Sequence, residues 1–369
     1  MIFLTYNDAP DGIYQSQVID VCRYWEDTFK QRVRLIAFIS LRDFFVNKAK
    51  IRAAYSDSIV LPMFPGIENW GNNVIRINVR LLFHKKETVI ARGVFATLLA
   101  IKSGRFKKVC FDARGAYAAE WSEYLSKDSP TLAGQMKELE KQALLKSDFR
   151  IAISQKLVDY WKENYAYNKT EHVVIPCALN SSNEEDTIPR TEIRKQLQVR
   201  NTETLLVYSG SSAQWQSFNT LEENLSQAFA QNANIKLLML CKPGGEKALA
   251  EKYPGRVMQA WVKPYEVSSF LNACDYGLLV REQSVTNKVS SPVKFAEYLA
   301  AGLPVIISEG IGDYSNFVKE KNCGRPVNTI DWSKLSPVIE TEKARISEIA
   351  KTYFTKQVYL KEYTRIQQL

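Results

Sequence analysis

The chain has 369 residues, 46% hydrophobic and 24% charged, a globular composition that is long for one core and natural for two. No run of about 18 uncharged apolar residues occurs, which excludes a helical membrane span, and with only His84 and His172 a histidine-rich metal centre is excluded too. The net charge of +9 is uneven: residues 1–180 carry 26 basic and 19 acidic side chains, residues 181–369 carry 23 and 21, so the first half either suits an anionic partner such as a membrane surface or is basic for solubility alone.

The first eight residues, MIFLTYND, have no basic leader or long apolar region and read as a strand rather than a signal peptide. Further short β-rich runs follow at 34–40, 58–64, 88–92, 109–112, 150–154 and 173–178, then at 205–210, 235–241, 257–262, 276–281, 304–308 and 325–328. Continuous apolar runs of this kind are expected of strands buried on both faces. Helical patterns lie between them: residues 132–146 repeat apolar side chains at 132, 136, 139, 143 and 144, and 155–164 and 219–231 are similar. Strand-helix alternation predicts parallel sheets with right-handed crossovers.

The polar stretch "NSSNEEDTIPR" at 180–190 interrupts the pattern and reads as a linker. We therefore expect an α/β fold of two facing Rossmann-like domains, 1–178 and 179–342, with a ligand cleft at the carboxyl ends of their strands. A helical segment, 343–369, is rich in tyrosine and phenylalanine and must bury that face on one domain or the other, the first being the expectation carried forward. The six cysteines form no Cys-x-x-Cys pair and read as buried thiols of a reducing compartment. Neither histidine lies in a nucleophile motif, which argues against a Ser-His-Asp triad. The basic residues are scattered and not interleaved with aromatics, so nucleic acid is not expected as a partner.

The stretch "SSPVKFAEYLAAGLPVI", 290–306, carries the sharpest local signal. Ser291 suits an N-cap, Pro292 the first helical position and Gly302 the residue past the last turn. Lys294 and Glu297 then fall three apart in the first turns. On spacing alone they read first as a surface ion pair. A lysine there opposes the helix dipole, however, and becomes favourable if an anion binds the helix end, with Glu297 accepting from a pair of hydroxyls.

"PVKFAEYLAAGLPVI" resembles the C-terminal signature of retaining glycosyltransferases of family 4, whose architecture is the two-domain GT-B fold. The fragments "KELEKQALLKSDFRIAISQKLVDYW", "VVIPCALN", "LLVYSGS", "VIARG" and "VCFDARGAYAAE" are similar to other family segments in order and spacing, so the resemblance covers nearly the whole chain. It departs in three places. Val289 stands where a glutamate usually partners Glu297, "SGSSAQWQSF" replaces the usual Arg and Lys-Gly cations, and Ile90 replaces a histidine.

The resemblance implies a transfer of sugar, with retention, from a nucleoside-diphosphate sugar to a glycan or lipid-linked saccharide acceptor. Glu297 would hold the ribose hydroxyls. Lys294, the backbone N–H groups of Val293 and Lys294, and Arg281 in place of the missing cations would hold the diphosphate. Gly210, Ser211 and Ser212 would line the phosphates, and the loop 260–263, with Val262, would read the base, although a plain connection is an open alternative. Gly12 and Tyr14 would face the donor phosphates from the first loop, or form an ordinary strand-helix turn. Asp112 and Arg114, with Arg92 alike, would orient hydroxyls, or form an internal ion pair. Trp215 and Trp261 would stack on sugar or base, or pack in a core. No cofactor beyond the donor and no metal is expected. The expected location is cytoplasmic, peripheral at an anionic membrane face. The competing reading is a non-catalytic nucleotide-sugar-binding subunit of a polysaccharide assembly complex. A nicotinamide-dependent oxidoreductase would need a Gly-x-Gly-x-x-Gly turn that the early strands lack. A sugar-nucleotide epimerase of the same fold stays open.

Overall fold

A computed structural model of the chain describes residues 1–180, 188–210, 217–244 and 247–369. It divides into two units, Met1–Pro176 with Tyr359–Leu369, and Cys177–Val358.

The first unit is built on seven parallel strands, β1 (Ile2–Tyr6), β2 (Arg34–Ile39), β3 (Ser58–Pro62), β4 (Val89–Arg92), β5 (Val109–Ala113), β6 (Phe149–Ala152) and β7 (His172–Val174), in the order β3-β2-β1-β4-β5-β6-β7. The second has six, β8 (Thr204–Ser209), β9 (Ile235–Leu240), β10 (Val257–Ala260), β11 (Tyr276–Leu279), β12 (Val305–Ile307) and β13 (Gly324–Pro326), in the order β10-β9-β8-β11-β12-β13. Each expected strand is present, shortened by a residue or more at most carboxyl ends, where the chain turns into loops. In both sheets the direction of winding reverses beside the first strand, between β1 and β4 and between β8 and β11. Open α/β sheets bind ligands outside the carboxyl ends at this point.

The strands are apolar throughout because both faces are covered. In β8, Val207 faces one core with Phe295, Leu299 and Ile346. Its neighbours Leu206 and Tyr208 face the other with Leu221, Leu225 and Phe229. The C-terminal aromatic segment is shared out: Phe354 packs edge-on to Phe295 and Tyr314 in the second unit, and Tyr363 packs on Tyr24 and Trp25 in the first. All six cysteines are buried thiols. Among the described residues no helix is long and apolar enough to cross a membrane.

The helix within 290–306 runs Val293–Ala300, one residue later than its sequence predicts. Its N-cap is Pro292, held extended at φ −63°, ψ 123°, and it receives no capping bond from a side chain. The Ser291 hydroxyl is spent elsewhere, accepting the Cys177 N–H at 3.0 Å and lying 2.6 Å from the Tyr314 hydroxyl. Lys294 and Glu297 are therefore the second and fifth helical residues. Gly302 ends the helix at φ +72°, and a Cβ there would also lie 2.7 Å from the Lys343 carbonyl oxygen, so both conformation and space require glycine.

Candidate donor site and a second polar cluster

Helix Val293–Ala300 is pinned to the sheet by Tyr298. The Tyr298 hydroxyl accepts the Ser209 N–H at 2.8 Å, at the end of β8, and donates to the Leu278 carbonyl at 3.4 Å in β11. The ring passes directly over Gly277, where any Cβ would overlap it. Gly277→Ala is expected to force Tyr298 outward and tilt the helix mouth, costing roughly 1–3 kcal/mol of stability by overpacking; thermal unfolding of the variant measures it.

This anchoring sets Lys294 at the carboxyl edge beside the β8–β11 reversal. Lys294 is only 6% exposed, with Nζ 4.4 Å from the centroid of the Tyr208 ring. Burial holds its ammonium well below the usual lysine range; the like charge of Arg281 pushes the same way and the Glu297 carboxylate opposes both. Arg281, two residues past β11, is also buried; its N–H donates to Ser308 Oγ at 2.9 Å and its Nη1 to Asn287 Oδ1 at 3.2 Å. Glu297 is half-buried, and desolvation raises its carboxyl while Lys294 lowers it. The amides of Val293 and Lys294 precede the first bond made within the helix, from Phe295 N–H to the Pro292 carbonyl. Two cations brought together at low exposure beside a helix N-terminus form a place where a dianion relieves their repulsion.

Other residues singled out in the sequence fall around this edge. Gly210 follows β8 at φ +146°, and its N–H donates to the Leu240 carbonyl at 3.1 Å. Ser211, Ser212 and Trp215 lie outside the described residues. Val262 is half-buried against the core beyond β10, while Trp261 is 60% exposed, with the Lys242 ammonium 5.8 Å from its ring centroid. Val289 is buried at 3% exposure, whereas Glu282, directly after Arg281, is exposed.

A second polar cluster lies at the carboxyl edge of the first sheet, beside its own reversal. Asp112, in β5, is 4% exposed and 3.6 Å from Arg92 Nη1; Arg114 Nη1 donates to its other oxygen at 3.2 Å. Arg92 Nε lies 3.7 Å from Asp8, two residues past β1. Burial pushes the Asp8 carboxyl up, with Arg92 opposing. Arg114 Nη2 donates to Gln17 at 2.9 Å, tying the cluster to the segment after β1. There Gly12 is exposed, and Asp11 caps the short helix by accepting the Tyr14 N–H at 3.0 Å. Tyr14 is buried with its hydroxyl 3.2 Å from Thr5 Oγ1.

Sequence reasoning missed Asp8 and Glu140. Asp8 carries no motif; only the pairing of β1 with β4 brings it to Arg92. Glu140 is buried in helix Pro130–Lys146, accepts the N–H groups of Tyr117 and Ala118 and the Tyr165 hydroxyl, and is pushed up to about 7 by burial.

Two parallel α/β units, each with polar groups gathered at its switch point, define a protein of GT-B architecture. Comparison with solved structures agrees. The chain is similar to sucrose-phosphate synthase from Thermosynechococcus elongatus, at 14% identity over 100% of this chain and 99% of that one, with a TM-score of 0.70. It is similar to HepE from Anabaena in complex with UDP-glucose, at 14% identity over the full length of both, with a TM-score of 0.67. It is also similar to the lipopolysaccharide outer core galactosyltransferase WaaB, at 15% identity over 100% and 99%, with a TM-score of 0.65. At these identities the likeness establishes the GT-B fold. Residues 219–361 match the family model "Glucosyltransferase 3-like, C-terminal domain". No curated protein matches the chain by sequence.

Proposed function

We propose that the protein is a retaining glycosyltransferase of the family 4 type, moving a hexose from a nucleoside-diphosphate sugar to a hydroxyl of a glycan or lipid-linked saccharide. The observation that carries this reading is the buried Lys294 beside Arg281 at the mouth of helix Val293–Ala300, with Glu297 one turn along. It is supported by the match of residues 219–361 to the glucosyltransferase-like domain and by the solved HepE complexes with UDP, UDP and glucose, and UDP-glucose. UDP is accordingly the nucleotide proposed.

In this reading Lys294, Arg281 and the first amides of the helix bind the diphosphate, and Glu297 accepts from the ribose hydroxyls. Gly210 allows close backbone approach to the phosphates, and Val262 lies where the base is read. The acceptor hydroxyl attacks the anomeric carbon on the face from which the diphosphate departs. Its proton passes to the leaving oxygen, so no protein base is required. The protein's contribution is positioning, plus stabilisation of the charge that grows on the diphosphate. Asp112, with Arg92 and Arg114 fixing its carboxylate, is proposed to orient sugar hydroxyls, with the loop at Gly12 and Tyr14 beside it. The acceptor is proposed to be presented at the cytoplasmic face of a membrane.

A thermal-shift panel of nucleoside diphosphates and their sugars tests the reading. One nucleotide and its sugar are expected to stabilise the protein by about 2.7 kcal/mol at a concentration 100 times Kd. Failure of every nucleotide would remove the proposal. The burial of Val289 where the family pattern has glutamate favours the second reading, a binding subunit without transfer. Stabilisation by UDP-sugar with no UDP release to any acceptor would select it.

A further inference from the structure

The stretch "VIRINVRLLFHKK", from Val74 to Lys86, has a surface to which the proposed donor site assigns no role. Helix Val74–Arg80 buries Ile77 against the first unit, and Leu81 is buried just past it. Its other side is also apolar. Ile75 is 69% exposed and Val79, one turn on, 70%; the following turn presents Leu82 at 50% and Phe83 at 94%. Exposed Phe64 joins this surface, with the Arg76 guanidinium 5.8 Å from its ring centroid. The same stretch carries Arg76, Arg80, Lys85 and Lys86 and no carboxylate.

We propose that Ile75, Val79, Leu82, Phe83 and Phe64, framed by Arg76, Arg80, Lys85 and Lys86, form a contact surface for an anionic lipid bilayer. Outward apolar side chains interleaved with cations match the boundary between acyl chains and anionic headgroups, where each kind of group finds its own partner. Charge also decides against a second copy of this chain as the occupant. A two-fold contact would set this patch against itself, cation facing cation. Lys85 and Lys86 count against a protein partner, because protein interfaces are depleted of lysine, whereas anionic headgroups pair with lysine and arginine alike. The inference rests on the glycosyltransferase reading only for its purpose, which is to hold the enzyme where a lipid-linked acceptor lies.

The test is co-sedimentation of the full chain with phosphatidylcholine vesicles, with and without phosphatidylglycerol, alongside the UDP thermal shift. Wild type is expected to prefer anionic vesicles by roughly tenfold or more, and the preference should fall with added salt. Val79→Ser with Phe83→Ser, and separately Arg76→Gln with Arg80→Gln, should each cut anionic binding by about tenfold while leaving the UDP shift unchanged. No preference for anionic vesicles, or variants that bind as wild type does, overturns the surface. Variants that dissociate an oligomer without changing vesicle binding assign the patch to a second copy and also overturn it. A UDP shift without vesicle binding sinks only this inference, and vesicle binding without any nucleotide shift sinks only the donor reading.

Discussion

Lys294→Met is expected to make the ligand-free protein more stable and to abolish its stabilisation by UDP. The two effects share one cause. In the folded chain burial and Arg281 hold the Lys294 ammonium well below its ordinary value, whereas in the unfolded chain it titrates normally. Between the two values the unfolded state binds the extra proton, so stability rises with pH through that window and the lysine is a cost at neutral pH. An apolar side chain of similar length removes the cost, a gain of about 1–4 kcal/mol by analogy with other buried charges. It also removes a cation proposed to hold the diphosphate. Thermal unfolding with and without UDP reads both; a destabilised variant that still responds to UDP would refute the assignment. A bound diphosphate would raise the ammonium back toward its ordinary value, so affinity should fall as pH rises through the depressed one.

Asp275→Ala acts at the opposite edge of the same sheet, with the larger effect on folding. Asp275 is fully buried just before β11 and accepts Arg190 Nη2 at 2.7 Å, Arg194 Nη1 at 3.3 Å, the Leu205 N–H at 2.8 Å and the Val338 N–H at 3.2 Å. One carboxylate thus fastens the start of β8 to helix Arg190–Gln196 and to the segment before the last long helix of the unit, Glu340–Tyr353. Arg194 is only 2% exposed, and removal of Asp275 strands its charge. A loss of about 3–5 kcal/mol is expected, as for other broken buried ion pairs. Denaturant unfolding measures it; a loss below about 1 kcal/mol would show that the Ala273, Arg200 and Glu203 carbonyls, which also accept from the Arg194 guanidinium, suffice to hold its charge. Asp275 and its partners sit at the amino edge of this sheet, and Lys294 and Arg281 at its carboxyl edge. That separation lets Lys294 be a local cost without endangering the fold.

Much of this architecture is legible in the sequence, because doubly covered strands must be short and apolar without alternation. β1 occupies residues 2–6, the run read from sequence, and β13 at Gly324–Pro326 starts one residue before the run expected there. The helix Gly93–Ser103 is harder to see. It buries Val94, Phe95, Leu98 and Leu99 and most residues between them, so it has no polar face and no period. Within helix Pro130–Lys146 the periodic positions Leu132, Met136, Ala143 and Leu144 are buried, but so is Glu140, which reads as a surface residue. Its partners at Tyr117, Ala118 and Tyr165 are local only in space. The onset of helix Val293–Ala300 escapes for a similar reason. Ser291 has the chemistry of a cap, but Tyr314 and the Cys177 amide compete for its hydroxyl. Lys294 and Glu297 were legible as a pair, and their spacing alone pointed first to the surface. Burial of Lys294 against Tyr208, with Arg281 close by, is a tertiary fact, and it is the reason the pair is proposed as a binding site rather than a surface ion pair.

The central claim is that these residues bind a nucleoside diphosphate, and calorimetric titration of the wild-type chain with UDP and with UMP tests it most directly. UDP is expected to bind at least about tenfold more tightly than UMP, since the second phosphate is what Lys294 and Arg281 are proposed to meet. UDP binding no tighter than UMP, or no binding of UDP in a protein that some other nucleotide fails to stabilise as well, would contradict the account.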